Sequence, residues 1–451
     1  MAKAKTVYVC RECGARDPKG GGRCMRCGTW GSFEPQVTGG PKPTLNSKGP
    51  IPSPRPLSEV PMNEGEIRLR VGIGELDRVL GGGLVTGSLT LIGGDPGVGK
   101  STLLLMVLAA FADRGIPVLY VSGEESARQI RLRAERLRIS GECLYLLPET
   151  NLDIAMAAAE KMGPAVLVLD SVQTLYTGRL DGVPGSVSQV REVASRAMTL
   201  AKTRDIPTFL VGHVTKQGGI AGPKVLEHLV DTVIYFEGDG RSHLRVLRAT
   251  KNRFGSTGEL GFFEMVAEGL KEVPDASARL LKERVVGASG TSVLGALEGS
   301  RPLLAEVQAL VGRPTPATPG RTVLGLDKAR LNMLLAVLGK QGHPLHDRDV
   351  FVSAAGGLRL QEPAADLAIA GALVSSLIDK PIRPKTLVFG EVGLVGELRA
   401  VPHPGPRLME AMRHGFDRVV CPKGAEADAP DGLEIVAVSS LREGLDELFG
   451  S

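Results

Sequence analysis

Gly93-Gly94-Asp95-Pro96-Gly97-Val98-Gly99-Lys100-Ser101-Thr102 contains, from Gly94 to Ser101, the G-x-x-x-x-G-K-[ST] pattern of a phosphate-binding loop. The spelling follows from the chemistry. Glycines let the backbone turn tightly enough for its N–H groups to converge on an anion. Lys100 reaches the β- and γ-phosphates as a mobile point charge, and the Ser101 hydroxyl suits Mg²⁺. The flanks agree: Ser88-Leu89-Thr90-Leu91-Ile92 reads as a buried strand and residues 102–111 as an apolar helix, so the loop opens a helix whose N-terminal dipole favours phosphate. ATP is the expected ligand, held by Gly94, Asp95, Pro96, Gly97, Val98, Gly99, Lys100, Ser101 and Thr102.

The chain has 451 residues, too many for one ordinary domain. Apolar residues make up 43% and aromatics only 4%, so the cores must be built from Leu, Val, Ile and Ala. A net charge of +4 does not by itself imply a nucleic-acid partner. Its distribution says more: Lys3, Lys5, Arg11, Arg16, Lys19, Arg23 and Arg26 face only Glu12 and Asp17 in residues 1–32. No apolar run is long enough to span a bilayer and the N-terminus has no apolar signal core, so a cytosolic chain without a membrane partner is expected. There, six cysteines point to metal or chemistry before disulfides.

Four of the six read Cys10-Arg11-Glu12-Cys13 and, ten residues on, Cys24-Met25-Arg26-Cys27. Paired C-x-x-C turns bring four thiolates around one Zn²⁺, and Gly14 and Gly28 follow each pair as tight knuckles favour. So short a segment has no core of its own, so the metal would supply its folding free energy. Its charge suits phosphate, and Tyr8 or Trp30 suits stacking on a base; docking to a protein is the alternative.

Prolines at 35, 41, 43, 50, 52, 54 and 56 mark residues 33–60 as a linker after a finger at 1–32. From 61 to 273 strands and helices alternate, with near-continuous apolar strands at 89–92, 118–121, 166–169, 208–211, 232–236 and 244–249. That pattern predicts a mostly parallel sheet covered on both faces, with the last two strands as an antiparallel extension. Residues 274–285 read as a charged connector, and 286–451 as a separate α+β domain. Its strands are expected at 292–297, 304–311, 350–354, 386–389, 418–421 and 434–438, and its helices at 326–338, 364–378 and 407–414.

Val166-Leu167-Val168-Leu169-Asp170 is an apolar strand ending in a carboxylate, placed to hold Mg²⁺ beside the phosphate loop together with Ser101. Hydrolysis also needs a group to activate water. Glu124 and Glu125 both follow the strand that ends at Ser122, and their spacing does not choose between them; one of them suits the N-terminus of the next helix.

The order of phosphate loop, Ser122-Gly123-Glu124-Glu125-Ser126, Val168-Leu169-Asp170-Ser171-Val172-Gln173 and Gly212-His213-Val214-Thr215-Lys216 resembles the RecA/DnaB-type ATPase core. With Lys251-Asn252-Arg253-Phe254-Gly255 and the four-cysteine finger, the full chain resembles the RadA (Sms) family of bacterial DNA repair proteins. The resemblance implies that Glu124 is the catalytic glutamate. It also implies that Lys251 and Arg253 reach a neighbouring subunit's γ-phosphate or serve a DNA-linked switch; without it they read equally as a solvated strand end. Two Gly-rich loops, 176–188 with Arg179 and 215–224 with Lys216 and Lys224, are implied to contact single-stranded DNA.

Residues 286–451 resemble the Lon protease domain, whose serine and lysine act as a dyad. The serine position falls on Ala364, within Glu362-Pro363-Ala364-Ala365-Asp366. Counting from the kept turn Gly390-Glu391-Val392-Gly393-Leu394-Val395-Gly396, the lysine position falls on Gly405, with Arg407 nearby. Covalent proteolysis therefore lacks its chemistry, which opposes an ATP-dependent protease. Arg301, Lys328, Arg330, Arg359, Arg383, Lys385 and Arg399 offer cations for a DNA-facing surface. The fold class expected is α/β: an N-terminal zinc finger, a RecA-like core and an α+β Lon-like domain. The function implied is a DNA-dependent ATPase and DnaB-type helicase. It would form a hexameric ring on single-stranded DNA, promote branch migration and strand extension of recombination intermediates, and work with the RecA recombinase. The alternative is a RecA-like DNA-binding regulator that uses ATP as a timer without translocating.

Overall fold

A computed structural model describes residues 5–10, 12, 14–38, 56, 68–213, 226–238, 244–313, 319–360 and 362–450. Cys13, Lys216, Lys224 and most of the expected linker lie outside them. The chain divides into two compact units, each assembled from separate segments: 1–70, 84–96 and 104–233 in the first, and 71–83, 97–103 and 234–451 in the second.

The first unit begins with a small antiparallel sheet of β1 (Lys5–Cys10), β2 (Arg16–Asp17) and β3 (Phe33–Thr38), in the order β2-β1-β3. β1 and β3 pair from Lys5 with Thr38 to Cys10 with Phe33. The finger's sheet therefore continues through Thr38, past the position where the first proline suggested a linker.

From Arg68 the elements are β4 (Arg68–Leu69), α1 (Gly74–Val79), β5 (Leu84–Val85), β6 (Leu89–Gly94), α2 (Lys100–Ala112), β7 (Val118–Ser122), α3 (Ala127–Arg136), β8 (Leu144–Pro148), α4 (Leu152–Met162), β9 (Leu167–Asp170), α5 (Val187–Arg204), β10 (Thr208–His213) and β11 (Thr232–Glu237). Within the first unit the sheet order is β6-β10-β9-β7-β8, and all of these pairs are parallel. β6, β7 and β9 are buried at every residue, as strands covered on both faces must be. β8 escaped the sequence reading because Leu144-Tyr145-Leu146-Leu147-Pro148 is a half-buried edge strand. Helix starts are encoded locally: Ser126 and Gln129 make a reciprocal capping box on α3, and Asn151 caps α4.

The second unit holds the antiparallel run β12 (Leu244–Asn252), β13 (Leu260–Val266) and β14 (Gly269–Glu272). The expected connector is not featureless, since α6 (Ala276–Leu281) lies in it, capped by the Asp275 carboxylate. A seven-stranded mixed sheet follows, made of β15 (Thr291–Glu298), β16 (Arg301–Gly312), β17 (Arg321–Leu324), β18 (Asp349–Ala354), β19 (Thr386–Val388), β22 (Arg418–Pro422) and β23 (Glu434–Val438), with β20 (Glu391–Val392) and β21 (Leu398–Arg399) as a separate pair. Its order is β17-β18-β16-β15-β19-β22-β23. The helices are α7 (Lys328–Lys340), α8 (Asp366–Ile378), α9 (Pro404–Arg413) and α10 (Leu441–Phe449). α8 is buried from Asp366 to Ser375, which makes it the central helix of this domain's core. No helix among the described residues is long and apolar enough to cross a membrane.

Candidate nucleotide and metal sites

The phosphate loop runs from the end of β6 to the first residue of α2, Lys100. Two of its glycines are favoured by geometry. Gly97 has φ +77° and Gly99 φ +115°, backbone conformations that residues with a Cβ rarely adopt. A loop of this shape at the start of a 13-residue helix presents backbone N–H groups to an anion, so these residues fit a nucleotide's phosphates.

Parallel register sets the second part of the site. Gly94 pairs with His213, and Ser122 with Asp170, so the C-terminal ends of β6, β10, β9 and β7 share one edge. Glu124, Asp170 and His213 converge there, with ligand atoms within 4.8 Å of one another. His213 Nε2 lies 2.9 Å from Glu124 Oε1, and the Ser171 hydroxyl donates to the same oxygen at 2.5 Å. The Tyr120 hydroxyl donates to Asp170 Oδ2 at 2.5 Å. Asp170 is buried and Glu124 partly exposed, so the second carboxylate is open to solvent.

Glu125 is placed differently. Its N–H donates to the Ser122 hydroxyl and its carboxylate is ion-paired with Arg133 on α3. The two adjacent glutamates that spacing left open are thus separated by geometry: Glu124 sits with Asp170, and Glu125 braces a helix. Tyr120, Ser171 and His213 were not singled out as site residues. Tyr120 reads as core, and only the ends of β9 and β10, one residue from Asp170 and at Gly212-His213, carried any signal for the others.

Arg179 lies on the 176–188 loop with Nε 3.1 Å from Asp153 Oδ1. The Thr177 hydroxyl, then Arg196 and Arg179, hold the Asp153 carboxyl below its ordinary value. Lys251 and Arg253 belong to the other unit, at the end of β12 and on the turn that follows; Lys251 is half-buried and Arg253 exposed.

In the finger, Cys10 and Cys27 Sγ are 3.6 Å apart, and both lie within 4.8 Å of Cys24 Sγ. The knuckles repeat one backbone pattern. Gly14 N–H donates to Cys10 O at 2.9 Å and Cys10 N–H to Ala15 O at 2.8 Å; Gly28 N–H donates to Cys24 O at 2.8 Å and Cys24 N–H to Thr29 O at 2.9 Å. By that repeat Cys13 corresponds to Cys27, and the sulfur donor set fits zinc. Hydrogen bonds from Thr29 hold the exposed Cys27 thiol below its ordinary value, favouring the thiolate a metal needs. Metal analysis of reductively purified protein is expected to give one zinc per chain, and Cys24→Ser to lose it while ATP turnover without DNA persists. A zinc-free native preparation would refute this.

In the C-terminal domain Ala364 is buried in a 3₁₀ turn, and its carbonyl accepts the Gly390 N–H at 2.8 Å. Gly405 lies in the first turn of α9, where a Cβ would meet Asp428 at 3.4 Å. Arg407 is fully buried. It donates to Glu362 Oε2 at 2.7 Å, to Glu362 Oε1 at 2.9 Å and to Gly295 O at 2.7 Å. Removing one partner of such a pair leaves a buried charge, so Arg407→Ala should destabilise this domain by about 3–5 kcal/mol. Denaturant unfolding within 0.5 kcal/mol of native, on the order of an ordinary surface change, would contradict the pairing. Two of the cations offered for a DNA-facing surface are corrected: Arg301 is buried against Glu75, and Arg330 grips the buried Asp366 with both nitrogens of its fork.

Comparison with known proteins follows the same division. Residues 66–219 match an AAA domain model, 8–35 a rubredoxin metal-binding domain model and 327–425 a model of subunit ChlI of Mg-chelatase. The chain is 49% identical to a DNA repair protein RadA of Pseudomonas aeruginosa and 45% identical to one of Bacillus subtilis, each over 100% of both chains. It is 48% identical to one of Streptococcus pyogenes, again over 100% of both. A KaiC-like protein of Pyrococcus horikoshii, of solved structure, aligns with 46% of this chain and 100% of its own at 21% identity and a TM-score of 0.39. The architecture is a zinc ribbon, a RecA-like ATPase core with a mostly parallel sheet and a Lon-like C-terminal domain.

Proposed function

The chain belongs to the RadA family of DNA repair proteins, and from that premise we propose that this repair ATPase is a motor. It works in the cytoplasm as a hexameric, DnaB-type ring on single-stranded DNA. There it drives branch migration and strand extension of recombination intermediates that the RecA recombinase has formed.

The convergence of Glu124, Asp170 and His213 at the edge where the phosphate loop begins carries this reading. Gly94 to Thr102 cradle the phosphates of ATP, and Lys100 binds the β- and γ-phosphates. Ser101 and Asp170 hold Mg²⁺, which neutralises charge on the phosphates when bound. Glu124 takes a proton from the attacking water; His213 and Ser171 orient its carboxylate. Lys251 and Arg253 reach the γ-phosphate of a neighbouring subunit, where cations stabilise the spreading charge. Arg179, Lys216 and Lys224 contact the DNA strand.

The C-terminal domain serves as scaffold and not as protease. Ala364 offers no nucleophile, Gly405 offers no base, and the nearby Arg407 is committed to Glu362. A serine-directed covalent reagent should leave the native chain unlabelled, and Ala364→Ser should not create labelling; stoichiometric labelling of the native chain would overturn this. A branch-extension assay on single molecules tests the motor. ATP-dependent extension at a steady rate is expected, whereas DNA-stimulated hydrolysis with no movement of the branch would leave the timer reading.

A further inference from the structure

The β15–β16 hairpin closes on Glu298-Gly299-Ser300-Arg301, and all four residues engage the β12–β13 hairpin or α1. Arg248 on β12 donates to Glu298 Oε2 at 2.7 Å. A Cβ on Gly299 would lie 2.8 Å from the Gly258 carbonyl, so the two backbones touch. The Ser300 N–H donates to Glu259 Oε1 at 3.1 Å. Arg301 donates to Glu75 Oε2 at 2.5 Å, to Leu260 O at 3.2 Å and to Pro274 O at 2.7 Å, with its guanidinium 4.9 Å from the centre of the Phe262 ring. Glu75 also accepts the Phe262 N–H at 2.8 Å, and Glu272 accepts the Glu75 N–H at 2.7 Å.

Lys251 and Asn252 end β12, and Arg253 opens the turn of that same β12–β13 hairpin. Asn252, the middle residue, is buried; it donates to Val79 O on α1 at 3.4 Å and accepts the Phe254 N–H at 3.0 Å. The base of the turn is closed by Gly258 N–H to Ala249 O at 2.7 Å and Ala249 N–H to Glu259 O at 3.1 Å. Gly258 and Glu259 are thus both the base of the cationic turn and the surface that Gly299 and Ser300 press on.

We propose that the Glu298–Arg301 turn of the Lon-like domain positions Lys251 and Arg253 for ATP hydrolysis, making Glu298, Arg301 and Arg248 positioning residues of the ATPase. The inference rests on the reading of Arg253 as a finger given above. A cation that stabilises a transition state must be placed within a fraction of an ångström, and a displacement of about 1 Å can cost on the order of 100-fold in rate. Exposed side chains would hold a hairpin loosely, whereas this one rests on buried partners. Arg301 and Glu75 are buried, and the turn projects from β16, a 12-residue strand inside the domain's main sheet. The Lon-like domain therefore acts on the ATPase through the placement of one hairpin.

The test measures single-stranded-DNA-stimulated ATP turnover of full-length Glu298→Ala, Glu298→Gln and Arg253→Ala beside the native chain. Arg248→Met, which keeps an apolar stem, is the second variant should Glu298→Ala not fold. Burial pushes the Glu298 carboxyl above its ordinary value even beside Arg248, so a neutral acceptor loses little there. Glu298→Ala and Arg248→Met should lower kcat about ten- to 100-fold, with KM for ATP and oligomeric state unchanged, and Glu298→Gln should restore most of it. Native kcat in Glu298→Ala alongside a slow Arg253→Ala overturns this inference and leaves the finger standing. Native kcat in Arg253→Ala removes the finger and this inference with it. A loss that appears in KM or assembly, or that Glu298→Gln shares fully, makes the turn domain glue and overturns the proposal.

Discussion

Glu124→Gln is expected to bind ATP as the native chain does and to hydrolyse it about 10²- to 10⁴-fold more slowly, the span a positioned general base contributes. Glutamine keeps the size of the side chain and a carbonyl that accepts from Ser171, so the edge of the sheet should stay intact; what it loses is the basic oxygen. Lys100→Ala fails earlier, because the phosphate charge loses its mobile cation, and both binding and turnover should fall. Glu125→Gln should stay near the native rate, since that carboxylate is ion-paired with Arg133. Nucleotide binding by fluorescence and single-turnover hydrolysis separate the three. A slow Glu125→Gln beside a normal Glu124→Gln would reverse the assignment.

Arg253→Ala should retain nucleotide binding and lose most of the turnover that single-stranded DNA stimulates. Finger contacts are worth about 10³- to 10⁵-fold in the best-studied phosphoryl-transfer systems, and the proposed finger is expected to contribute at or below the lower end of that range. The sharper measurement mixes chains. Lys100→Ala subunits keep an intact finger, and Arg253→Ala subunits keep an intact phosphate loop. If the chains form the proposed ring, assemblies containing both would have some interfaces where a good loop meets a good finger, so part of the activity should return. No recovery in rings shown to be mixed would place the action of the Lys-Asn-Arg segment within its own subunit or on DNA.

The parts of this chain that local chemistry dictates were legible beforehand. The phosphate loop, the strand ending at Asp170 and the cysteine knuckles are each written in a short run, and the apolar strands fall where expected, with ends shifted by a residue or a few. β8 and β13 were not found, the first because an edge strand is half exposed and the second because Leu260–Val266 follows a glycine-rich turn without a clear alternation. The partners in the site were hidden for another reason. That Tyr120 serves Asp170, or that His213 and Ser171 meet at Glu124, depends on which strands lie side by side, and spacing along the chain does not specify it. Arg301 shows the same limit: a cation after a turn reads as solvated, and only the packing of its hairpin against α1 reveals a buried ion pair.

The Arg407–Glu362 pair bears on how this domain can change over generations. By the resemblance to Lon, a dyad would need a serine at 364 and a lysine at 405, where a Cβ would make ordinary contact with Asp428 at 3.4 Å. Discarding Arg407 to make room strands Glu362, and discarding Glu362 strands Arg407. Either loss alone weakens the fold, so these two positions are expected to change together or not at all. On the proposed reading of this domain as a scaffold, its surface can vary freely, while the pair ties two positions of its centre to each other.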